Sequence, residues 1–203
     1  MDRRAKNVLT VVQAALRLPP REDAASYARD VEGRVLALAS AHTMLADASW
    51  RGASLHGVVR AELAGFLSDA PPSREEGRAP RAVLDGPDLL LNPISVQPLA
   101  MTVHELATDA TKHGALSVPG GEVRLSWSHD RAAGLLRMRW EERGGPPPAP
   151  PARRSFGSRV IEATIREQLG GRMERRWTAD GLVYEAAITA ARVLADDNAP
   201  APP

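Results

Sequence analysis

Cysteine is absent from the 203 residues, which excludes disulfides, thiolate zinc sites and a cysteine nucleophile. A surplus of either charge is absent too. The 26 Lys+Arg face 25 Asp+Glu, a net charge of +1, so the chain has no broad basic face of the kind that holds nucleic acid. No apolar run approaches the roughly 20 residues of a membrane span. The opening MDRRAKNVLT has basic residues but no apolar core ending in a small-residue cleavage site, so it does not read as a signal peptide. These absences predict a soluble, cytoplasmic protein. Lysine is scarce as well: Lys6 and Lys112 are the only two, and arginine makes up the rest, as a GC-rich genome favours. What is present is enough chain for one large domain or two small ones.

The first 67 residues read as helical. Val8, Leu9, Val11, Val12, Ala15 and Leu16 recur at helical spacing until Pro19-Pro20. A longer stripe from Ala24 to Ala48 carries Tyr27, Val31, Val35, Leu38, Ala39, His42 and Leu45. The short break between the two predicts an antiparallel hairpin with two apolar stripes, which a second copy would cover as a four-helix bundle. A shorter helix is expected over Leu55–Phe66, and residues 68–80 read as a Pro- and charge-rich connection. Beyond it, Arg81–Leu84 and Leu89–Leu91 read as short strands around the Asp85-Gly86-Pro87 turn, and Pro93 opens a long helix to about His113. Val123–Ser128 and Leu135–Glu141 alternate like half-buried strands, Gly157–Leu169 is helical, and Met173–Trp177 with Leu182–Ile188 forms a hairpin. The pattern predicts an α+β protein: a helical hairpin joined to an α/β sandwich. The final ADDNAPAPP reads as a disordered tail.

Two clusters carry chemistry. On the long helix Glu105 and Asp109 are four residues apart, so their carboxylates share a face, with Lys112 one turn on; Leu99, Val103, Leu106 and Ala110 lie opposite, ready to pack on a sheet. Like charges at that spacing oppose a helix, and a Mg²⁺ carrying phosphates would relieve them. The plain alternative is a solvated helix face in which Lys112 offsets the acids. The second cluster is Trp140-Glu141-Glu142-Arg143-Gly144-Gly145-Pro146 at a strand end. Its glycines admit a flat ligand, and an acid there can accept from an exocyclic amine. Arg153 and Arg154 follow, then Ser155-Phe156-Gly157-Ser158-Arg159, a helix start that suits a phosphate. Its plain alternative is a strand ending in a Gly/Pro loop.

The order of these motifs resembles the core of the HWE histidine kinases, bacterial two-component enzymes of the GHKL ATPase superfamily. The resemblance rests on His104 in His-Glu-Leu-Ala-Thr, on Trp140 and Glu142 in Trp-x-Glu, and on Lys112-x-Gly114-Ala115-Leu116-Ser117. Gly144-Gly145-Pro146, Phe156-Gly157-Ser158-Arg159, Arg34-x-x-Ala37-Leu38-Ala39-x-x-His42 and Trp50-x-Gly52-Ala53 add to it. It covers about residues 1–190. It implies a dimerisation and phosphotransfer-like hairpin over 1–67, a GHKL-type ATP-binding domain over 81–190, and a tail over 191–203. It also implies a catalytic Glu105, Mg²⁺ held near Glu105 and Asp109, and ATP bound by Asp109, Lys112, Glu142, Gly144, Gly145, Gly157 and Ser158, with Glu142 on the adenine. His104 and Trp140 are markers to which the sequence assigns no chemistry, and Leu89 and Trp177 read as core.

Two positions depart from the family. Its phosphoacceptor His opens a His-Arg-x-Lys-Asn motif, where this chain reads Arg3-Arg4-Ala5-Lys6-Asn7. A guanidinium that stays protonated is no nucleophile for a γ-phosphorus, so autophosphorylation by the family route is not expected. Asp109 stands where the family has Asn; the extra charge favours a metal and opposes a triphosphate, and the sequence leaves the net sign open. Two readings follow: an ATP-binding two-component kinase lacking its acceptor, or an inactive pseudokinase adaptor. Either one dimerises and engages a response regulator receiver domain or a partner histidine kinase. The family usually carries sensory modules before the hairpin, so the input is expected from another chain or not at all.

Overall fold

A computed structural model describes residues 24–67, 81–147 and 156–195. The expected first hairpin helix with Arg3, the connection over 68–80, Arg153-Arg154 and residues 196–203 lie outside the described residues.

Helix α1 (Ala24–Asp47) ends where Ser49 and Trp50 turn left-handed, at φ of 50° and 60°. The Trp50 amide donates back to Leu45 O at 2.7 Å, and the His42 ring meets the Trp50 indole edge-on at 5.1 Å. The strand β1 (Ala53–Ser54) leads into α2 (Leu55–Leu63), whose N-cap Ser54 accepts from the Gly57 amide. After β2 (Ala82–Asp85) and β3 (Leu90–Leu91) comes the long α3 (Pro93–Lys112). Asn92 caps it by accepting from the Ser95 amide at 3.0 Å, with Pro93 in the first turn where its missing N–H costs nothing.

A tight turn (Ala115–Ser117), β4 (Glu122–Asp130) and β5 (Leu135–Arg143) follow. Helix α4 (Phe156–Ala163) continues as a wider turn over Thr164–Gln168; then come β6 (Gly171–Thr178), β7 (Gly181–Thr189) and the short α5 (Ala190–Val193).

Five strands form one sheet in the order β2-β4-β5-β7-β6, with β2 parallel to β4 and every other pairing antiparallel. The expected strands on either side of Asp85-Gly86-Pro87 exist but do not pair with each other. Ala82–Asp85 instead lies in register with Val123–Ser126, while β3 pairs with β1 as a separate ribbon.

Alternation selects the inner face of the sheet: Val123, Leu125 and Trp127 on β4, and Leu136, Met138, Trp140 and Glu142 on β5, are all buried. Leu99, Val103, Leu106 and Ala110 of α3, Ile161 of α4 and Ile165 of the wider turn after it cover that face. Ala41 and Leu45 of α1 and Val58, Val59 and Leu63 of α2 join the same core from the far side of α3. Each fully buried Leu, Ile or Val contributes roughly 1.5–3 kcal/mol. Helix α3 is therefore enveloped, by the sheet on one side and by α1 and α2 on the other.

The described chain stays ordered past the expected start of the tail at 191. Val193 is fully buried, the Asn92 amide donates to its carbonyl at 2.9 Å, and Leu194 bridges Leu91. These backbone bonds move the expected start of the tail from 191 to beyond Leu194; the polar run after Ala195 lies outside the described residues.

Candidate functional site

Four buried positions of β5 alternate along its inner face, and the last is a carboxylate. The alternation that turns Leu136, Met138 and Trp140 inward also turns Glu142 inward, and Glu142 is 4% exposed. Its oxygens are partly satisfied: Oε1 accepts from the Trp140 indole at 3.0 Å and Oε2 from the Ala115 amide at 2.9 Å. A carboxylate has about four acceptor positions, so two bonds leave capacity for a ligand donor. Burial pushes the Glu142 carboxyl above its usual range. The bonds from Ala115 and Trp140 oppose that shift, and the charge of Asp109 adds to it. Gly114 admits the carboxylate, because a Cβ there would stand 1.9 Å from Glu142 Oε2.

Glu142 lines a cavity of about 310 Å³ with Asp109, His113, Gly114 and Ala115 from the end of α3 and the turn after it. Gly145, Pro146 and Pro147 line it from the end of β5, and Ser158 from α4. The β6–β7 hairpin supplies Arg175, Trp177, Gly181, Leu182 and Tyr184. The Arg175 guanidinium donates to Ser158 Oγ at 3.3 Å and lies 5.6 Å from the Trp177 ring centroid. Burial pushes the Tyr184 phenol up, and its contacts with Arg175 oppose the shift.

The second large depression, about 550 Å³ on the outer face of the sheet, contains none of the predicted site residues. It is bordered by ion-paired side chains such as Arg139 with Glu185.

The structure brings Asp109, Glu142, Gly145 and Ser158 of the predicted set into one cavity. Gly157 sits at its edge: a Cβ there would lie 3.0 Å from Glu105 Oε2 and 3.1 Å from Asp109 Oδ1, so both carboxylates approach the start of α4. Gly144 lies beside the cavity lining at φ 67°.

Glu105 lies behind the wall. It is 2% exposed and held by Arg34 of α1, whose Nε donates to Oε1 at 2.5 Å and Nη2 to Oε2 at 2.8 Å. The solvated face expected around Glu105 is thus a helix–helix contact. Lys112 points away from the cavity and pairs with Asp30 of α1. His104 also faces α1 and α2: its Nδ1 stands 3.2 Å from Glu62 Oε2, and Gly33 of α1 passes directly against its ring. Trp177, expected in the core, is half-buried in the cavity wall, because β6 is an edge strand with only one neighbour.

Sequence reasoning missed Arg175 and Tyr184, and it read Arg34 as part of a motif without foreseeing its pairing with Glu105. The alternation Met173, Arg175, Trp177 was the available signal, and it was masked by the neighbouring arginines Arg172 and Arg176.

Among the described residues no group of three His, Asp or Glu could hold a metal unaided. Asp109 in the cavity wall fits Mg²⁺, which takes one or two carboxylates and completes its shell with phosphate and water.

Residues 1–80 match the family model described as HWE histidine kinase. A blue-light-activated histidine kinase of Rhizobium johnstonii is 38% identical over 94% of this chain and 52% of its own length. By this match and this relative, the chain is similar to the HWE histidine kinases. The protein of the same name from Brucella ovis is 32% identical over 90% of this chain and 36% of its own length. The chain thus spans about half, or less, of these relatives.

The solved blue-light activated histidine kinase of Erythrobacter litoralis superposes with a TM-score of 0.68 at 18% identity, over 94% of this chain and 60% of that one. Its histidine kinase domain gives 0.62 at 17%, over 94% and 95%. At such identity the likeness shows the fold alone, an N-terminal helical part joined to a mixed sheet, as in that histidine kinase domain. The three signature residues on which the resemblance rests, His104, Trp140 and Glu142, divide into a pair and a singleton. Trp140 orders Glu142 in the cavity, whereas His104 fastens α3 to α1 and α2.

Proposed function

We propose that this chain binds ATP with Mg²⁺ in the cavity beneath Glu142 and acts in two-component signalling without using position 3 as a phosphoacceptor. The observation that carries the reading is Glu142. It is a buried carboxylate in the cavity lining, oriented by Trp140 and Ala115, with acceptor capacity left for the exocyclic amine of adenine. In the same cavity Arg175 and Ser158, with the start of α4 at its edge, supply positive charge and donors suited to polyphosphate. Asp109 would hold the Mg²⁺, whose chemistry is to shield the triphosphate and polarise its terminal phosphoryl group. In this reading Gly145 and Gly157 border the nucleotide, Gly144 flanks it, and Glu105 and Lys112 act from behind, through their contacts with α1.

The adaptor reading is favoured by one observation, Arg3 at the acceptor position. An Arg there would pair with the acidic phosphorylation pocket of a receiver domain and leave nothing to phosphorylate. Both readings take residues 1–67 as the dimerisation part and a receiver domain or partner kinase as the target.

One experiment separates them. The chain is incubated with γ-labelled ATP and Mg²⁺, alone and with receiver domains, after calorimetry with a non-hydrolysable analogue. Binding together with transfer of label supports the kinase. Binding without label anywhere supports the adaptor. Absence of binding overturns the nucleotide site.

A further inference from the structure

Glu105 and Asp109 present two carboxylates to the start of α4, at the place where the nucleotide reading sets the polyphosphate. Two such charges with a polyanion would repel, and burial of Glu105 removes the water that could screen them. The compensating charge comes from another element. Arg34 reaches across from α1, 71 residues earlier, and takes both oxygens of Glu105 in a bidentate pair; the two side chains are 5% and 3% exposed. The pair lies in a line of contacts along the α1–α3 seam, with Lys112 on Asp30 at one end and His104 against Gly33 beside it. Helix α1 therefore decides whether the charge beside the cavity wall is one carboxylate or two.

We infer that Arg34 is a positioning residue for the nucleotide site: by neutralising Glu105 it allows a triphosphate to settle beside Asp109, and it makes nucleotide affinity depend on the seating of α1. The inference rests on the nucleotide reading above and adds to it a residue outside the cavity. Linkage is reciprocal, so bound nucleotide, which adds negative charge beside Glu105, holds Arg34 and with it α1 more firmly.

The test is calorimetric titration of the full chain with a non-hydrolysable ATP analogue and Mg²⁺. Absence of binding by the unmodified chain overturns the nucleotide reading and this inference with it. Given binding, Arg34→Met lowers affinity by about tenfold or more, within the usual range for coupled sites. Glu105→Gln, which leaves Arg34 as a surplus cation, raises it. The double variant Arg34→Met with Glu105→Gln returns to within about threefold of the starting affinity, a reversal that a merely structural role does not produce.

Unchanged affinity in Arg34→Met overturns the inference alone, as does a folded double variant that binds as weakly as Arg34→Met. If Arg34→Met does not fold, Glu105→Gln decides by itself: affinity equal to or below that of the unmodified chain overturns the inference. Amide exchange over Ala24–Asp47 slows when the analogue saturates the unmodified chain, and an unchanged rate overturns the dependence on α1.

Discussion

The indole of Trp140 donates to Glu142 Oε1 at 3.0 Å from two residues away on the same face of β5. A fully buried aromatic and a buried acid are thus one unit, in which the ring sets the direction of the carboxylate.

That unit makes stability depend on pH. Glu142 has a folded-state pKa raised chiefly by burial. Its stabilising contribution is full below the ordinary carboxylate range and is lost as pH rises through the raised folded value, because the native state holds the proton longer than the unfolded chain. Glu142→Gln removes this loss. The difference in melting temperature between the variant and the original chain therefore grows in favour of the variant from acid to neutral pH, as read by calorimetric scans at each pH. A difference independent of pH contradicts the assignment.

Trp140→Phe keeps the apolar bulk and deletes the donor. A hydrogen bond to a charged group contributes about 1.5–3 kcal/mol, so the variant melts lower and binds an ATP analogue more weakly at neutral pH. Equal affinity in the two proteins would show that the indole serves packing alone.

Arg175 faces the cavity beside Ser158. Arg175→Ala is expected to weaken binding of the ATP analogue by about tenfold or more, the equivalent of one charge-assisted hydrogen bond, and to leave adenosine binding almost unchanged. Equal losses for the two ligands would move Arg175 from the phosphates to the base.

Gly157→Ala separates affinity from folding. A Cβ would stand 3.0 Å from Glu105 Oε2 and 3.1 Å from Asp109 Oδ1, crowding both carboxylates. Alanine is the better helix former by about 1 kcal/mol. Melting temperature should change little while affinity for the Mg²⁺-bound analogue falls; titrations with and without Mg²⁺ check whether the loss needs the metal.

Arg3→His restores an imidazole at the family's acceptor position. Incubation with γ-labelled ATP should then give acid-labile label on this chain, provided the nucleotide binds. Label already present on the original chain would mean that another residue accepts the phosphoryl group.

Much of the fold was legible because its signals are local. Leu99, Val103, Leu106 and Ala110 mark the inner face of α3, and the alternation through Leu136, Met138 and Trp140 marks that of β5. The same alternation carries Glu142 to the inside, so this part of the site is written in the strand pattern itself. Glu105 could not be read in the same way. Spacing puts it on the face of Asp109, but what covers that face is α1, whose approach depends on Gly33 and on a guanidinium 71 residues upstream. No local pattern encodes such a distant partner. The wall built by Arg175, Trp177 and Tyr184 was hidden for another reason. On an edge strand the inward residues are only half covered, and Met173-Glu174-Arg175-Arg176-Trp177 reads as an ordinary solvated ribbon.

The first turn of α3 is completed from nearly one hundred residues downstream. Asn92 Nδ2 donates to Arg192 O at 2.8 Å, the Asn92 amide to Val193 O at 2.9 Å, and Ser95 Oγ to Val193 O at 2.8 Å. During synthesis this turn cannot acquire its final partners until residue 193 has cleared the ribosome. The helix that carries His104, Glu105 and Asp109 is thus finished last at its beginning, and a nascent chain halted short of that point holds an incompletely anchored site.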